Sequence, residues 1–307
     1  MICIPLFLMI SGYLLANKEP PVGYFKKIFR ILIEYLIASI CCTIFTALYY
    51  NEFNLINCFR GIFTFKCVPY SWYINMYIGL FLLAPFINKI FVYTPKKQQQ
   101  LFLLIMIILT ILPSVINYYH SVNQFAIFAL PSFWSNSLYY FTYFFTGMYI
   151  KINKPQYKKW ILLIILVFNL AIESLLSLKV FGNIYDVPNE ALTFYNTIFV
   201  FITATCIFLM FYNLEYKPNR YSKTITIISN ATLSAYMISW VFDRLVYEPI
   251  DLQYWSYTKR FLLSPLTILA VAILSIIYGI IVTQLISAIK KLSNYYRKNK
   301  PIKNQQE

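Results

Sequence analysis

Residues 71–88 read SWYINMYIGLFLLAPFIN, and their reading decides the fold. No charge interrupts the run between Lys66 and Lys89. About 20 consecutive apolar residues are enough for an α-helix to cross the hydrocarbon of a bilayer, so residues 73–93 are expected to span one. Lipid offers the backbone no partners, so the span must be a helix that satisfies its own N–H and C=O groups. Trp72 and Asn75 begin it, and an Asn there more often bonds a neighbouring helix than a substrate.

Similar runs lie on both sides. Spans are expected at 1–16, 30–50, 73–93, 101–118, 134–150, 160–178, 191–212, 224–246 and 261–289, nine in all. The fold class is an all-α, polytopic transmembrane helix bundle. Composition agrees: 60% of the 307 residues are apolar and 12% charged, with mean hydropathy +0.62, where soluble domains carry about a quarter charged. The domain organisation expected is one membrane-embedded domain, 1–290, followed by a basic tail, 291–307, without fixed structure. Seven glycines in so much apolar sequence argue against helix interfaces of the G-x-x-x-G kind. Aromatics, at 20%, exceed what interfacial belts require; most read as lipid-facing, and some as lining an interior path or a sugar-binding surface.

The net charge of +15 has the sign of a nucleic-acid binder, but its placement says otherwise. Short-loop Lys and Arg collect on the cytoplasmic side of a membrane protein. Alternate connections hold Lys18, Lys26, Lys27 and Arg30; then Lys89, Lys96 and Lys97; then Lys151, Lys154, Lys158 and Lys159; then Lys217, Arg220 and Lys223; and finally the tail. Together they take 20 of the 26 basic residues. The other set holds Arg60, Lys66, Lys179, Arg244, Lys259 and Arg260, balanced by acids. The charge is a topology signal whose surface partner is anionic lipid, not nucleic acid, and it places the C-terminus in the cytoplasm. This orientation leaves Met1 outside with nothing hydrophilic ahead of it. Residues 1–21, MICIPLFLMISGYLLANKEPP, also lack the basic n-region and cleavage site of a secretory signal. The expectation is that one span precedes them, giving ten in a complete protein.

Ionisable residues inside spans cost about 2.5–3.5 kcal/mol each to insert, so each is a functional candidate. Glu34 follows Arg30 by four residues, a spacing that pairs them on one helix face. Glu173 and Asn169 share a face, for packing or interhelical bonding. Asp243 and Arg244 end their span and either meet water or line a site. The single His120 reads as a solvated loop residue. Cys3, Cys41, Cys42, Cys58, Cys67 and Cys206 form no C-x-x-C pair, so no metal site is expected. Cys58 and Cys67 share an outer connection and are equally readable as a disulfide or as two thiols. No G-x-S-x-G, Walker or H-E-x-x-H pattern is present.

Several segments resemble the acyltransferase 3 family of integral membrane acyltransferases. IPLFLMISGYLL at 4–15 is similar to its V-P-L-F-F-x-I-S-G-F-L-L segment, the family's second span. YFKKIFRILIEYL at 24–36 resembles the basic stretch that follows. SWYINMYIGLFLLAPFIN resembles the family's W-Y-x-x-x-Y-I-G-L-F-L-L-x-P segment closely. PSFWSNSLYYFTYFFTGMYI and LSAYMISWVFDRLVY resemble later segments, although Ser239 stands where many relatives end Y-L-L-H. The resemblance implies transfer of an acyl group, expected to be acetyl, from cytoplasmic acyl-CoA to a hydroxyl of an extracytoplasmic glycan or cell-envelope sugar at the plasma membrane. No bound cofactor is implied; acyl-CoA is a co-substrate. The family's R-x-x-R motif falls on Lys27 and Arg30 as K-x-x-R, implying a donor site for CoA phosphates. Ser11, Gly12, Trp72 and Asn75 are candidates for the substrate path. The family's general-base histidine lies in a first span that these residues do not contain, so no catalytic residue is assigned. Alternatives are a transporter or lipid-linked glycan flippase, for which the internal repeats of transporters are lacking, and an inactive truncated remnant.

Overall fold

The structure, a computed structural model, describes residues 2–16, 23–51, 53–116, 132–181, 194–214, 220–249 and 256–298. Among them every regular element is helical. The first helices are α1 (Cys3–Leu15), α2 (Lys26–Tyr49), α3 (Leu55–Phe63), α4 (Trp72–Tyr93, entered by a 3-10 turn at Pro69–Ser71), α5 (Lys96–Thr110) and α6 (Leu112–Ile116). After them come α7 (Ser132–Ser137), α8 (Tyr139–Asn153), α9 (Lys159–Phe181), α10 (Ile198–Phe211), α11 (Ser222–Tyr247) and α12 (Tyr257–Lys298). Among the described residues six segments are long and apolar enough to cross a membrane: Lys26–Tyr49, Pro69–Tyr93, Lys96–Ser114, Lys159–Leu176, Ser222–Tyr247 and Leu262–Leu292. α1 and α10 are shorter apolar helices. The chain is a multi-pass integral membrane protein of all-α architecture.

Two compact units divide the residues, with a boundary inside α4 between Gly79 and Leu80. One holds Met1–Pro21 and Leu80–Tyr216; the other holds Val22–Gly79 and Lys217–Glu307.

In the first unit, α1 packs on α8 and α10, α5 on α8, and α9 on α10. The centre is the α1–α8 crossing, where Leu8 and Met9 meet Tyr143, Phe144 and Met148, all fully buried. Glycine sets how close the helices come. A Cβ on Gly12 would press into the Phe144 carbonyl, and a Cβ on Gly147 into the Met9 carbonyl. No G-x-x-x-G pair is involved: the two glycines sit reciprocally on different helices, a form of glycine packing that the G-x-x-x-G expectation does not address. Close backbone approach maximises van der Waals contact, which drives helix association where lipid is as apolar as the side chains. Buried polar groups add bonds between helices. Thr110 and Thr142 share a 2.7 Å hydroxyl bond, and Asn88 donates to the Leu15 carbonyl at 2.7 Å, satisfying the end of α1. The Asn169 amide reaches the Phe199 carbonyl and Thr203 Oγ1, both at 3.0 Å, which bears out interhelical bonding for this residue. Asn169→Leu is expected to cost about 1–2 kcal/mol, read as a lower midpoint in detergent unfolding of the full chain; an unchanged midpoint would deny the bond any role.

In the second unit, α11 packs along α12 and α2 along α11. Gly279 of α12 lies against the Ala231 carbonyl, a second glycine-set crossing. The connection 51–72 carries a helix of its own, α3, too short and too amphipathic to register as a span. One local expectation is corrected: α12 continues through Lys290 and Lys291 to Lys298, into the tail expected to lack structure; no Gly or Pro breaks it between Gly279 and Lys298. Cys58 and Cys67 are free thiols, with Cys67 Sγ donating to the Cys58 carbonyl at 3.2 Å.

Candidate functional site

The cationic end of α2 is built on a buried carboxylate. Arg30 Nε bonds Glu34 Oε1 at 2.8 Å, one turn along the helix as the spacing predicts. Ser234 of α11 donates to Glu34 Oε2 at 2.9 Å. Glu34 is 2% exposed, whereas the Arg30 side chain is 49% exposed. A carboxylate so deep must be paired and bonded, since an unpaired buried charge is costly. The pair uses the guanidinium's Nε, leaving the fork of η nitrogens outside it. Lys27 is exposed three residues before Arg30, with its ammonium 6.0 Å from the Tyr24 ring centroid. Both expected donor residues thus lie at one end of α2. Glu34 and Ser234 hold Arg30 in place, and only the Glu34 part of that support is legible in sequence.

At the other end of the same two helices lies a cavity of about 430 Å³, lined by Tyr70, Trp240, Asp243, Arg244, Tyr247 and Glu248. Its walls are fixed by bonds. Tyr70 donates to Asp243 Oδ2 at 2.8 Å and stacks on Tyr236 with centroids 5.8 Å apart. Arg244 Nη1 bonds Glu248 Oε1 at 2.8 Å, and its guanidinium lies 5.8 Å from the Trp240 ring centroid. Tyr50, just past the end of α2, donates to Glu248 Oε1 at 2.7 Å. That hydroxyl first, and Arg244 after it, hold the Glu248 carboxyl below its ordinary value against an opposing effect of burial. Aromatic faces beside a carboxylate and a guanidinium suit a polyhydroxylated ring: C–H faces rest on the π-systems, and hydroxyls bond the charged groups.

α2 and α11 run parallel. Glu34 meets Ser234 near one end, Phe45 meets the Trp240 ring further along, and Tyr50 meets Glu248 at the far end. Twenty residues from Arg30 to Tyr50 at 1.5 Å each separate the two sites by about 30 Å, the thickness of a bilayer's hydrocarbon.

The remaining candidates fall elsewhere. Ser11 bonds its own helix at the Phe7 carbonyl, 2.8 Å away, and Gly12 lies at the α1–α8 crossing. Both belong to the first unit, while Trp72 and Asn75 belong to the second. Trp72 is half-buried with its ring edge-on to Tyr73 at 6.3 Å, and Asn75 is exposed. His120 lies outside the described residues. Ser239 turns back to the Tyr236 carbonyl at 2.9 Å. Among the described residues no group of His, Cys, Asp and Glu could hold a metal. Tyr70 and Tyr50 escape sequence reasoning, because nothing local says that they meet acids more than 170 residues away.

Comparison with known families gives a match to the acyltransferase 3 model, described as an acyltransferase domain, over residues 1–284. No curated protein and no solved structure matches the chain.

Proposed function

Because the chain belongs to the acyltransferase 3 family, we propose that it moves an acetyl group from cytoplasmic acetyl-CoA to a hydroxyl of a glycan on the far side of the plasma membrane. The observation that carries this reading is the parallel α2–α11 pair, with a cationic site at one end and an aromatic, acid-lined cavity at the other. The cationic end sits in one of the two connections that carry four basic residues each, which supports assigning it, with the basic C-terminal tail, to the cytoplasmic side.

In this reading Arg30 grips a CoA phosphate through its η nitrogens, bidentately, while Glu34 and Ser234 fix the guanidinium. Lys27 adds a point charge. At the far end, Trp240 and Tyr70 carry the sugar ring, and Asp243 and Arg244 orient its hydroxyls. The reaction breaks the thioester C–S bond and forms an ester C–O bond. The acceptor's proton leaves its hydroxyl and ends on the CoA sulfur. The membrane excludes water, which would otherwise compete as the nucleophile. Trp72 and Asn75, of the same unit as this helix pair, are assigned to the path of the substrates, whereas Ser11 and Gly12 belong to the α1–α8 crossing of the other unit.

Membranes containing the protein, given acetyl-labelled acetyl-CoA and envelope glycan, are expected to yield alkali-labile label on the glycan. Trp240→Ala should raise the KM for glycan about ten-fold, the worth of one ring face removed from the sugar, with the KM for acetyl-CoA unchanged. Uptake of glycan without covalent label would replace this reading with a transporter.

A further inference from the structure

A second cavity, of about 900 Å³, opens between the end of α2 and residues 53–67. Asn51, Asn54, Asn57 and Thr64 line it with amides and a hydroxyl, and Arg60 and Lys66 with charge. Among the described residues neither cation is in an ion pair. Both belong to the basic minority that the topology signal does not explain.

The frame that carries them is held by bonds and a ring contact. Tyr35 of α2 donates to the Ile62 carbonyl at 2.8 Å, and its ring stacks on Phe65 with centroids 4.6 Å apart. The Gly61 carbonyl accepts from the Lys66 and Cys67 amides at 2.8 and 3.3 Å. A Cβ on Gly61 would stand 2.6 Å from Cys67 Sγ, so a larger residue there must displace that side chain. Asn54 caps α3 by accepting from the Asn57 amide at 3.1 Å, which leaves its Nδ2 to donate.

α3 itself is two-faced. Leu55, Ile56, Phe59 and Phe63 share one face and are bare, Ile56 at 77% and Phe63 at 81% exposure. Asn57, Arg60, Gly61 and Thr64 share the opposite face, toward the cavity. A short helix of this kind, between the spans α2 and α4, is suited to lie in the plane of the membrane surface with its apolar face among acyl chains. In that placement its cavity opens at the depth of lipid headgroups. Two cations that pair with no acid among the described residues, set among amide and hydroxyl donors, fit a phosphate ester.

We infer that the Arg60–Lys66 cavity binds the phosphate of a membrane-borne lipid headgroup. The site is separate from the donor end of α2, and the inference stands whether or not acyl transfer does.

Native mass spectrometry of the full-length protein, equilibrated with equal amounts of phosphatidylglycerol and phosphatidylcholine, tests this. The expected result is preferential retention of phosphatidylglycerol. Arg60→Gln/Lys66→Gln should reduce it about 100-fold, the worth of two charge-assisted hydrogen bonds to phosphate. Lys259→Gln, at the start of α12, should leave it unchanged. Equal retention of both lipids, retention undiminished in the double variant, or an equal loss with Lys259→Gln would overturn the inference. A second measurement uses the wild-type protein and needs no variant. Cys58 and Cys67 line the same cavity, so phosphatidylglycerol should slow their alkylation by an impermeant maleimide, followed by peptide mapping. The reaction belongs at alkaline pH, because burial pushes the Cys67 thiol up. Soluble glycerol 3-phosphate should not protect; if it protects as well as the lipid does, the site takes free phosphate esters and the lipid assignment fails.

Discussion

Gly147→Ala is expected to destabilise the protein by about 3 kcal/mol, near the upper end of what overpacking a close-packed core costs. The added methyl falls on the Met9 carbonyl, backbone that cannot swing aside as a flexible side chain would. α1 and α8 must therefore separate, loosening Leu8, Met9, Phe144 and Met148 together. Gly12→Ala should cost a similar amount through the Phe144 carbonyl. The double variant should cost less than the two losses combined, since helices already parted for one methyl accommodate the second. Gly79→Ala is the contrast. Nothing lies within 4 Å of a Cβ there, so the change should be neutral or stabilise by up to about 1 kcal/mol through helix propensity. Unfolding midpoints of the four variants in one detergent check this. A tolerated Gly147→Ala beside a harmful Gly79→Ala would contradict the packing at the crossing.

Arg30→Gln is expected to lower kcat/KM for acetyl-CoA about 100-fold, the worth of a bidentate phosphate contact of about 3 kcal/mol. The loss should sit in KM, because a phosphate remote from the thioester is held equally in ground and transition states. The variant also strands the Glu34 carboxylate, 2% exposed, without its cation, which alone destabilises a protein. Arg30→Gln/Glu34→Gln separates the two effects: it should regain stability and expression while its KM stays high. Glu34→Gln alone keeps the guanidinium but frees it to wander, and should raise KM about ten-fold, the cost of a weakened positioning bond. Recovery of the KM in the double variant would show that Arg30 serves the fold and not the donor.

Much of this is legible along the chain and some is not, for physical reasons. Spans declare themselves through length and apolarity, so Lys26–Tyr49 and Ser222–Tyr247 lie within a few residues of their expected bounds. The Arg30–Glu34 pair follows from one helical turn. Ser234 does not, since its partner is 200 residues away and a serine in a span has many uses. α3 is hidden because nine amphipathic residues produce neither a span nor a clear loop signal. The Gly12–Gly147 crossing is hidden because each helix supplies a single glycine, and spacing rules see pairs on one helix. Asp243 and Arg244 stand out by their charge, but the cavity needs Tyr70, Trp240 and Glu248 brought together in space.

In the reading proposed above, one membrane helix pair carries a donor site at one face and an acceptor site at the other. Sealed vesicles of a single orientation test this. Acetyl-labelled acetyl-CoA is supplied only on the face bearing Lys27 and Arg30, and glycan only on the face bearing Trp240 and Asp243. Ester label on the glycan is expected in this arrangement and none with the two substrates exchanged. Label that appears only when donor and acceptor share a face would overturn the two-faced arrangement.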